Sequence, residues 1–236
     1  GKEVIEIEIE ALENVKRLIG PAFASAVELL ASCKGRVAVT GIGKSGLVGR
    51  KMAATFSSTG TPAYFLHPVE GAHGDLGAIR EEDAIIAISY SGKTVELNAV
   101  LPAIRSLGAR IIAITGGLDS PLASLSDIVL DVSVPREACP MNLAPTSSTT
   151  ATLALGDALA VCLMESKSFT ANDFKRYHPG GALGQRLGLS VADVMHTEKL
   201  PLASVADTFG AALQVLDAGG LGTVLVTDSG GRLSGI

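Results

Sequence analysis

The chain has 236 residues, 47% of them hydrophobic and 18% charged, with a formal net charge of −5 and no tryptophan. That length and balance fit one large domain, or a medium one with a small companion, around a mainly aliphatic core. The acidic balance and the lack of any basic run argue against a nucleic-acid surface, and three scattered cysteines, Cys33, Cys139 and Cys162, suggest a reducing compartment without disulfides or zinc ribbons.

Ile5, Ile9, Leu12, Val15 and Ile19 recur at helical spacing among Glu and Lys, so the chain opens with an amphipathic helix, and a second is expected from about Pro21 to Ser32. Lys34-Gly35 then breaks into a first strand over 36–40, and Gly41-Ile-Gly-Lys-Ser-Gly46 opens a helix that runs to about Ser58. Further strands are expected over 61–66, 83–88, 109–115 and 127–132; the run 83–88 is nearly continuous and apolar, as in a strand buried on both faces. After Thr94, the residues Val95, Leu97, Val100, Leu101, Ile104 and Leu107 form one helical stripe that ends at Gly108, and Pro102 is expected to kink or divide that helix.

A long helix follows over 148–165; its apolar stretch 152–164 contains Asp157 and reads as too short to span a bilayer. No signal peptide opens the chain, so a soluble cytoplasmic protein without a membrane partner is expected. Strands alternating with helices imply a doubly wound, five-stranded parallel sheet with helices on both faces, and a ligand site at the carboxyl ends of its strands. Around 168–188 the periodicity weakens through Tyr177-His-Pro-Gly-Gly181. A separate unit over 189–236 then shows Val191-Ala-Asp-Val-Met195, a Pro201 turn, a helix over 205–218 and strands at 223–227 and 232–236, the last cut short, as in a fragment of a longer protein.

The chemistry concentrates at Ser89-Tyr-Ser-Gly-Lys-Thr94, where three hydroxyls, a glycine and a cation meet a helix start. Free N–H groups and the positive end of the helix dipole make such a turn an anion site. The dipole gives only about 0.3–1 kcal/mol, so hydroxyls and N–H bonds must supply most of the affinity. Gly41-x-Gly-x-x-Gly46 has the form of a dinucleotide fingerprint, but His67 stands where an acid should hold the ribose. A P-loop fails as well, since Ala38 and Ala87 occupy the required first glycine. Two Gly/Ser/Lys turns at the ends of parallel strands remain, suited to one phosphate and a short polyol.

Lys44 in the first turn reads as electrostatic support for a phosphate or a developing oxyanion. Glu96 is either a first-turn acid favoured by the dipole or a group facing the site. Glu137 lies in Pro135-Arg-Glu-Ala-Cys-Pro140, a Pro-bounded segment near the strand ends, where partial desolvation is expected to raise its pKa. Cys139 beside it reads as a small buried residue rather than a nucleophile. His67 and His73, on a loop with Asp75, form a weak metal set and suit sugar hydroxyls better. His178 precedes Pro-Gly-Gly and has no local reading of its own; His196 reads as a surface residue.

Together, Gly41–Gly46, His67-Pro-x-Glu-Gly-x-His73-Gly-Asp75, Ser89–Thr94, Pro135–Pro140 and Tyr177–Gly181 resemble the sugar isomerase (SIS) domain, and in particular the arabinose-5-phosphate isomerase group, whose SIS domain precedes two CBS modules. On that likeness 1–188 is the SIS domain, and 189–236 is an incomplete first CBS module. The resemblance implies interconversion of D-arabinose 5-phosphate and D-ribulose 5-phosphate, feeding the eight-carbon acid sugar of lipopolysaccharide or capsule, in a homotetramer. It implies catalytic roles for Lys44, Glu96, Glu137 and His178; because the last follows the long helix on a Pro-Gly-Gly turn, it is expected to complete a neighbouring subunit's site. Substrate contacts are expected at Ser45, Gly60, Thr61, His67, His73, Ser89, Ser91, Lys93, Thr94, Ser133, Val134 and Pro135. No cofactor is expected; Zn²⁺ at His67 would inhibit, and a nucleotide-type ligand would belong to complete CBS modules. The rival reading is a non-catalytic SIS sensor of phosphosugars, which would not need Glu137 and His178; a dinucleotide oxidoreductase comes third.

Overall fold

The computed structural model describes residues 1–178 and 190–236, and the chain divides into two compact units, Gly1–Gly184 and Gln185–Ile236. In the first, β1 (Val37–Gly41), β2 (Ala63–Leu66), β3 (Ala84–Ile88), β4 (Arg110–Thr115) and β5 (Ile128–Asp131) form one parallel sheet in the order β2-β1-β3-β4-β5. Its helices are α1 (Lys2–Leu18), α2 (Pro21–Ser32), α3 (Gly43–Ser58), α4 (Pro68–Ala72), α5 (Val95–Ser106), α6 (Pro121–Ser124), α7 (Ser147–Ser166) and α8 (Ala171–Tyr177).

Successive strand side chains point to opposite faces. Val37, Val39, Ile86, Ile88, Ile112 and Ile114 join the core under α2, α3 and α7, whereas Ala38, Ile85, Ala87, Ile111 and Ala113 join Leu97, Leu101 and Ile104 of α5. Both faces are covered, which is why the strands read as apolar runs; each such isoleucine contributes about 1.5–3 kcal/mol by burial. The chain moves outward from β1 to β2, then returns to β3 and continues to β4 and β5. The direction reverses between β1 and β3, so the crevice above their carboxyl ends is the natural ligand position.

Several elements differ from the sequence expectations. α5 runs undivided through Pro102, which lies on the exposed face, where solvent meets the lost hydrogen bond. The segment after His67 is not a loop: Pro68 starts α4 at its first position, where a missing N–H costs nothing, and a 3-10 turn follows over Asp75–Ala78. α7 lies within a residue of the expected 148–165, but where its apolar stretch reads as too short to span a bilayer, the whole helix is by length and composition apolar enough to cross a membrane. Half of it is buried inside the protein, against α1, α2 and α3, and Asp157 forms an ion pair with Lys51 of α3. α7 is a core helix.

The second unit holds a helix over Val191–Val194, a helix over Phe209–Gly219, and strands β6 (Leu202–Ser204), β7 (Leu225–Thr227) and β8 (Leu233–Gly235). β6 and β7 run parallel, β7 and β8 antiparallel. The longer helix starts at Phe209 rather than 205 because the Thr208 hydroxyl caps it, accepting from the Ala211 N–H at 3.3 Å. The sequence expectation has only a turn where β6 lies; three residues are too few to show alternation.

Candidate active site

The first wall is the β1–α3 turn. A Cβ on Gly46 would come within 2.8 Å of the Gly41 carbonyl oxygen, so its glycine lets the helix start close against β1. The glycine pattern is thus met by close packing at Gly46 and by a left-handed φ of 59 at Gly43. Ser45 of this turn faces the cavity described below, and Lys44 is exposed on the same helical turn.

The second wall is the β3–α5 turn. The Ser89 hydroxyl is 2.8 Å from that of Thr94 and accepts the Gly92 N–H at 3.1 Å, while Ser91 Oγ accepts the Lys93 N–H at 3.2 Å. Asn98 Nδ2 donates to the Gly92 carbonyl at 3.0 Å from the next turn of α5. The β4–α6 turn braces the whole: Gly116 N–H and the Thr115 hydroxyl donate to the Tyr90 carbonyl at 2.9 and 3.1 Å. Gly92 has φ +65, and a Cβ there would meet Ser120 Oγ at 1.9 Å and its Cβ at 2.4 Å. Left-handed strain and overpacking each cost about 1–3 kcal/mol. Gly92→Ala is therefore expected to lower unfolding stability by at least about 2 kcal/mol and to weaken sugar-phosphate binding; denaturant melts unchanged from wild type would contradict this geometry.

The third wall is the β5–α7 loop. Ser133 N–H donates to Asp131 Oδ1 at 2.7 Å, its carbonyl accepts Asn14 Nδ2 of α1 at 2.8 Å, and Val134 N–H donates to the Tyr90 hydroxyl at 3.2 Å. Tyr90 thereby ties the second wall to the third. Glu137 reaches the start of α7, where its Oε2 accepts the Thr146 N–H at 2.7 Å, the Thr146 hydroxyl at 3.0 Å and the Ser148 N–H at 3.2 Å. Its own N–H donates to Asn142 Oδ1 at 2.7 Å, and Asn142 adopts a left-handed φ of 53 to reach it.

The expected raised pKa of Glu137 is not what this loop produces. Burial pushes the carboxyl up, but the hydrogen bonds from Ser148 and Thr146 outweigh burial and hold it below the usual carboxylate value. The Ser148 hydroxyl lies close enough to contribute, though its geometry falls short of a hydrogen bond and only its N–H makes one. The loop hands the carboxylate to a helix start instead of stripping it of donors. Cys139 is likewise not the buried residue expected: it is half-buried, and backbone N–H groups of Ala144, Leu143 and Met141 draw its thiol pKa down.

Ser45, Tyr90, Val134, Pro135, Glu137 and Thr149 line one cavity of about 240 Å³. A second, of about 480 Å³, is lined by the Glu137 loop together with Glu3, Val4 and Ile7 of α1. The three walls together offer hydroxyls and N–H groups for an anion, and an ionised carboxylate beside a space of small-sugar size.

The SIS domain family matches residues 29–162. Over 237 residues the chain is 51% identical to the arabinose 5-phosphate isomerase KdsD of Pseudomonas aeruginosa, an alignment that takes in all of this chain and 73% of that protein. The KdsD of Escherichia coli K12 is 48% identical, over all of this chain and 72% of that protein. The chain belongs to the arabinose 5-phosphate isomerase family. A solved structure of an E. coli CFT073 protein in complex with arabinose 5-phosphate has a TM-score of 0.72 and 43% identity, covering 75% of this chain and 95% of that one.

Of the residues that the family likeness singles out, the structure brings Ser45, Val134, Pro135 and Glu137 to one cavity, with Ser89, Ser91, Lys93 and Thr94 on the adjoining turn. Ser133 supports this group through its backbone bonds. Glu96 is exposed on the first turn of α5 and does not line the cavity. His67 flanks α4 at the carboxyl end of β2, with its Nδ1 buried and unpartnered and its ring 6.4 Å from that of Phe65; His73 is exposed just after α4. Among the described residues no group of three or more His, Cys, Asp or Glu is placed to hold a metal.

Gly60 and Thr61 are not at this cavity in one chain. They precede β2, at the amino end of the sheet, where the buried Thr61 hydroxyl bonds Lys167 Nζ at 2.9 Å. His178 is also apart: it follows α8, its Nδ1 is 2.8 Å from the Phe174 carbonyl, and its ring stacks on Phe174 with centroids 3.8 Å apart. The Pro-Gly-Gly turn after it lies outside the described residues. Sequence reading missed Tyr90, Asn142, Thr146, Ser148 and Thr149. The run Thr146-Ser-Ser-Thr-Thr150 carries a signal, since hydroxyls crowd a helix start, but it reads equally well as simple capping.

Proposed function

We propose that this chain interconverts D-arabinose 5-phosphate and D-ribulose 5-phosphate by moving a proton between C2 and C1 through an enediol(ate). The observation that carries the reading is the Glu137 carboxylate, held by three hydrogen bonds at a cavity shared with the β1–α3 and β3–α5 turns. In this mechanism Ser89, Ser91 and Thr94 hold the phosphate, and Glu137 takes the proton from one carbon and returns it to the other. Lys44 meets the negative charge that develops on the oxygens, and Glu96 supports from α5. A depressed pKa keeps Glu137 ionised at neutral pH, so the base is always in the required form; oxyanion stabilisation must then offset its modest basicity.

His178, remote from the cavity of its own chain, is proposed to serve that of a neighbouring copy, handing protons between oxygens and assisting ring opening. A homotetramer would provide that neighbouring copy, and the exposed Ile5 and Ile9 of α1 support self-association. We place the reaction in the cytoplasm, in keeping with three free cysteines, and assign its product to the acid sugar of lipopolysaccharide or capsule. Incubation with arabinose 5-phosphate should yield ribulose 5-phosphate in a coupled assay. Binding of the sugar phosphate without turnover would make the protein a sensor instead.

Turnover is expected to need no added metal, because Lys44 supplies the positive charge that a Lewis acid would otherwise bring. Among the described residues no group of three or more His, Cys, Asp or Glu is placed to hold a metal, while the unpartnered Nδ1 of His67 is open to one, which supports inhibition by Zn²⁺ rather than a cofactor role. Full activity after exhaustive chelation is the expected result. Loss of activity restored by a divalent ion would make His67 a ligand in the reaction.

A further inference from the structure

We infer that Thr146 is a positioning residue for the proton transfer: its hydroxyl fixes one oxygen of the Glu137 carboxylate and so leaves the other for the substrate. The inference rests on the reading of Glu137 as the base. Thr146 stands at the N-cap of the 20-residue α7, where a threonine hydroxyl ordinarily accepts an N–H of the first helical turn. Here it makes no such bond. It accepts the Ala138 N–H at 2.8 Å and is 3.0 Å from Glu137 Oε2.

Those two contacts fix the direction of the hydroxyl. It has one proton to give, and the Ala138 N–H occupies its acceptor side, so the proton points at the carboxylate. Oε2 also receives the Thr146 and Ser148 N–H groups, and the Glu137 backbone is held by Asn142. All three bonds to the carboxylate fall on Oε2; among the described residues none is made to Oε1. The carboxylate is therefore oriented as well as ionised, and proximity effects of this kind are lost when a reacting group is free to turn. The titratable groups that share its two cavities are Arg136 and Cys139 of its own loop, Tyr90 of the β3–α5 turn and Glu3 of α1. The first turn of α7 brings no acid.

Simple capping would affect folding stability alone. Positioning would affect the pH profile and kcat. In Thr146→Val, which keeps the shape and both helix N–H donors, kcat is expected to fall about tenfold with KM within about twofold. The acid limb of the kcat–pH profile should move to higher pH, because a donor to the ionised form is gone. Thr146→Ser, which keeps the hydroxyl, should restore both. If the valine variant does not fold, Thr146→Ala is compared with Thr146→Ser in the same way. A wild-type acid limb and kcat in the hydroxyl-free variant, or equal losses in the serine variant, would overturn the inference. Glu137→Gln keeps the two failures apart: if that variant still turns over, the base assignment falls, whereas if it is inactive and Thr146→Val is unimpaired, only the role of Thr146 falls.

Discussion

Replacing Ser91 and Thr94 together by alanine is expected to raise KM for the phosphorylated pentose about 100-fold while leaving kcat within about threefold. Hydrogen bonds to a charged group contribute about 1.5–3 kcal/mol each, and about 1.4 kcal/mol is a factor of ten, so two such bonds allow about 10²–10⁴. The lower end applies because these hydroxyls are already used: Thr94 is bonded to Ser89, and Ser91 accepts the Lys93 N–H. A bound phosphate replaces those contacts rather than meeting free groups. The backbone of the turn, braced by Gly116, Thr115 and Leu122, should survive both substitutions. Steady-state kinetics decide the matter, and a KM within about threefold of wild type would remove the phosphate from this turn.

Glu137→Gln is expected to lower kcat by about 10²–10⁴, the usual contribution of a positioned general base, with little change in KM. The amide oxygen still accepts the Thr146 and Ser148 donors, so the loop keeps its anchor and the loss reports on proton transfer. Thermal unfolding of the variant should stay close to wild type for the same reason. A kcat within about tenfold would move the base to Glu96 or His178.

The sheet was legible because its strands are covered on both faces and therefore appear as unbroken apolar runs between glycine-rich turns, as in Ala84–Ile88. The β3–α5 turn was legible from Ser89 to Thr94, since hydroxyls, a glycine and a helix start lie within six consecutive residues. Glu137 was placed near the strand ends by its prolines, yet its electrostatics were read the wrong way round. Its donors lie nine and eleven residues downstream, at Thr146 and Ser148, and no local rule connects them to it. Tyr90 escaped for a similar reason: its hydroxyl meets Val134 from 44 residues away. Gly60 and Thr61 show the converse: the strand expected over 61–66 already puts them at its amino end, where the fold places them, and only the family likeness assigned them to the substrate.

The most direct measurement of the central claim is solvent exchange at substrate C2. Arabinose 5-phosphate incubated in D₂O with the wild-type protein should acquire deuterium at C2, followed by proton NMR, as the enediol(ate) is reprotonated from the medium-equilibrated base. Glu137→Gln should bind the sugar with near wild-type affinity and incorporate none. Deuterium incorporation at the wild-type rate in Glu137→Gln would contradict the account.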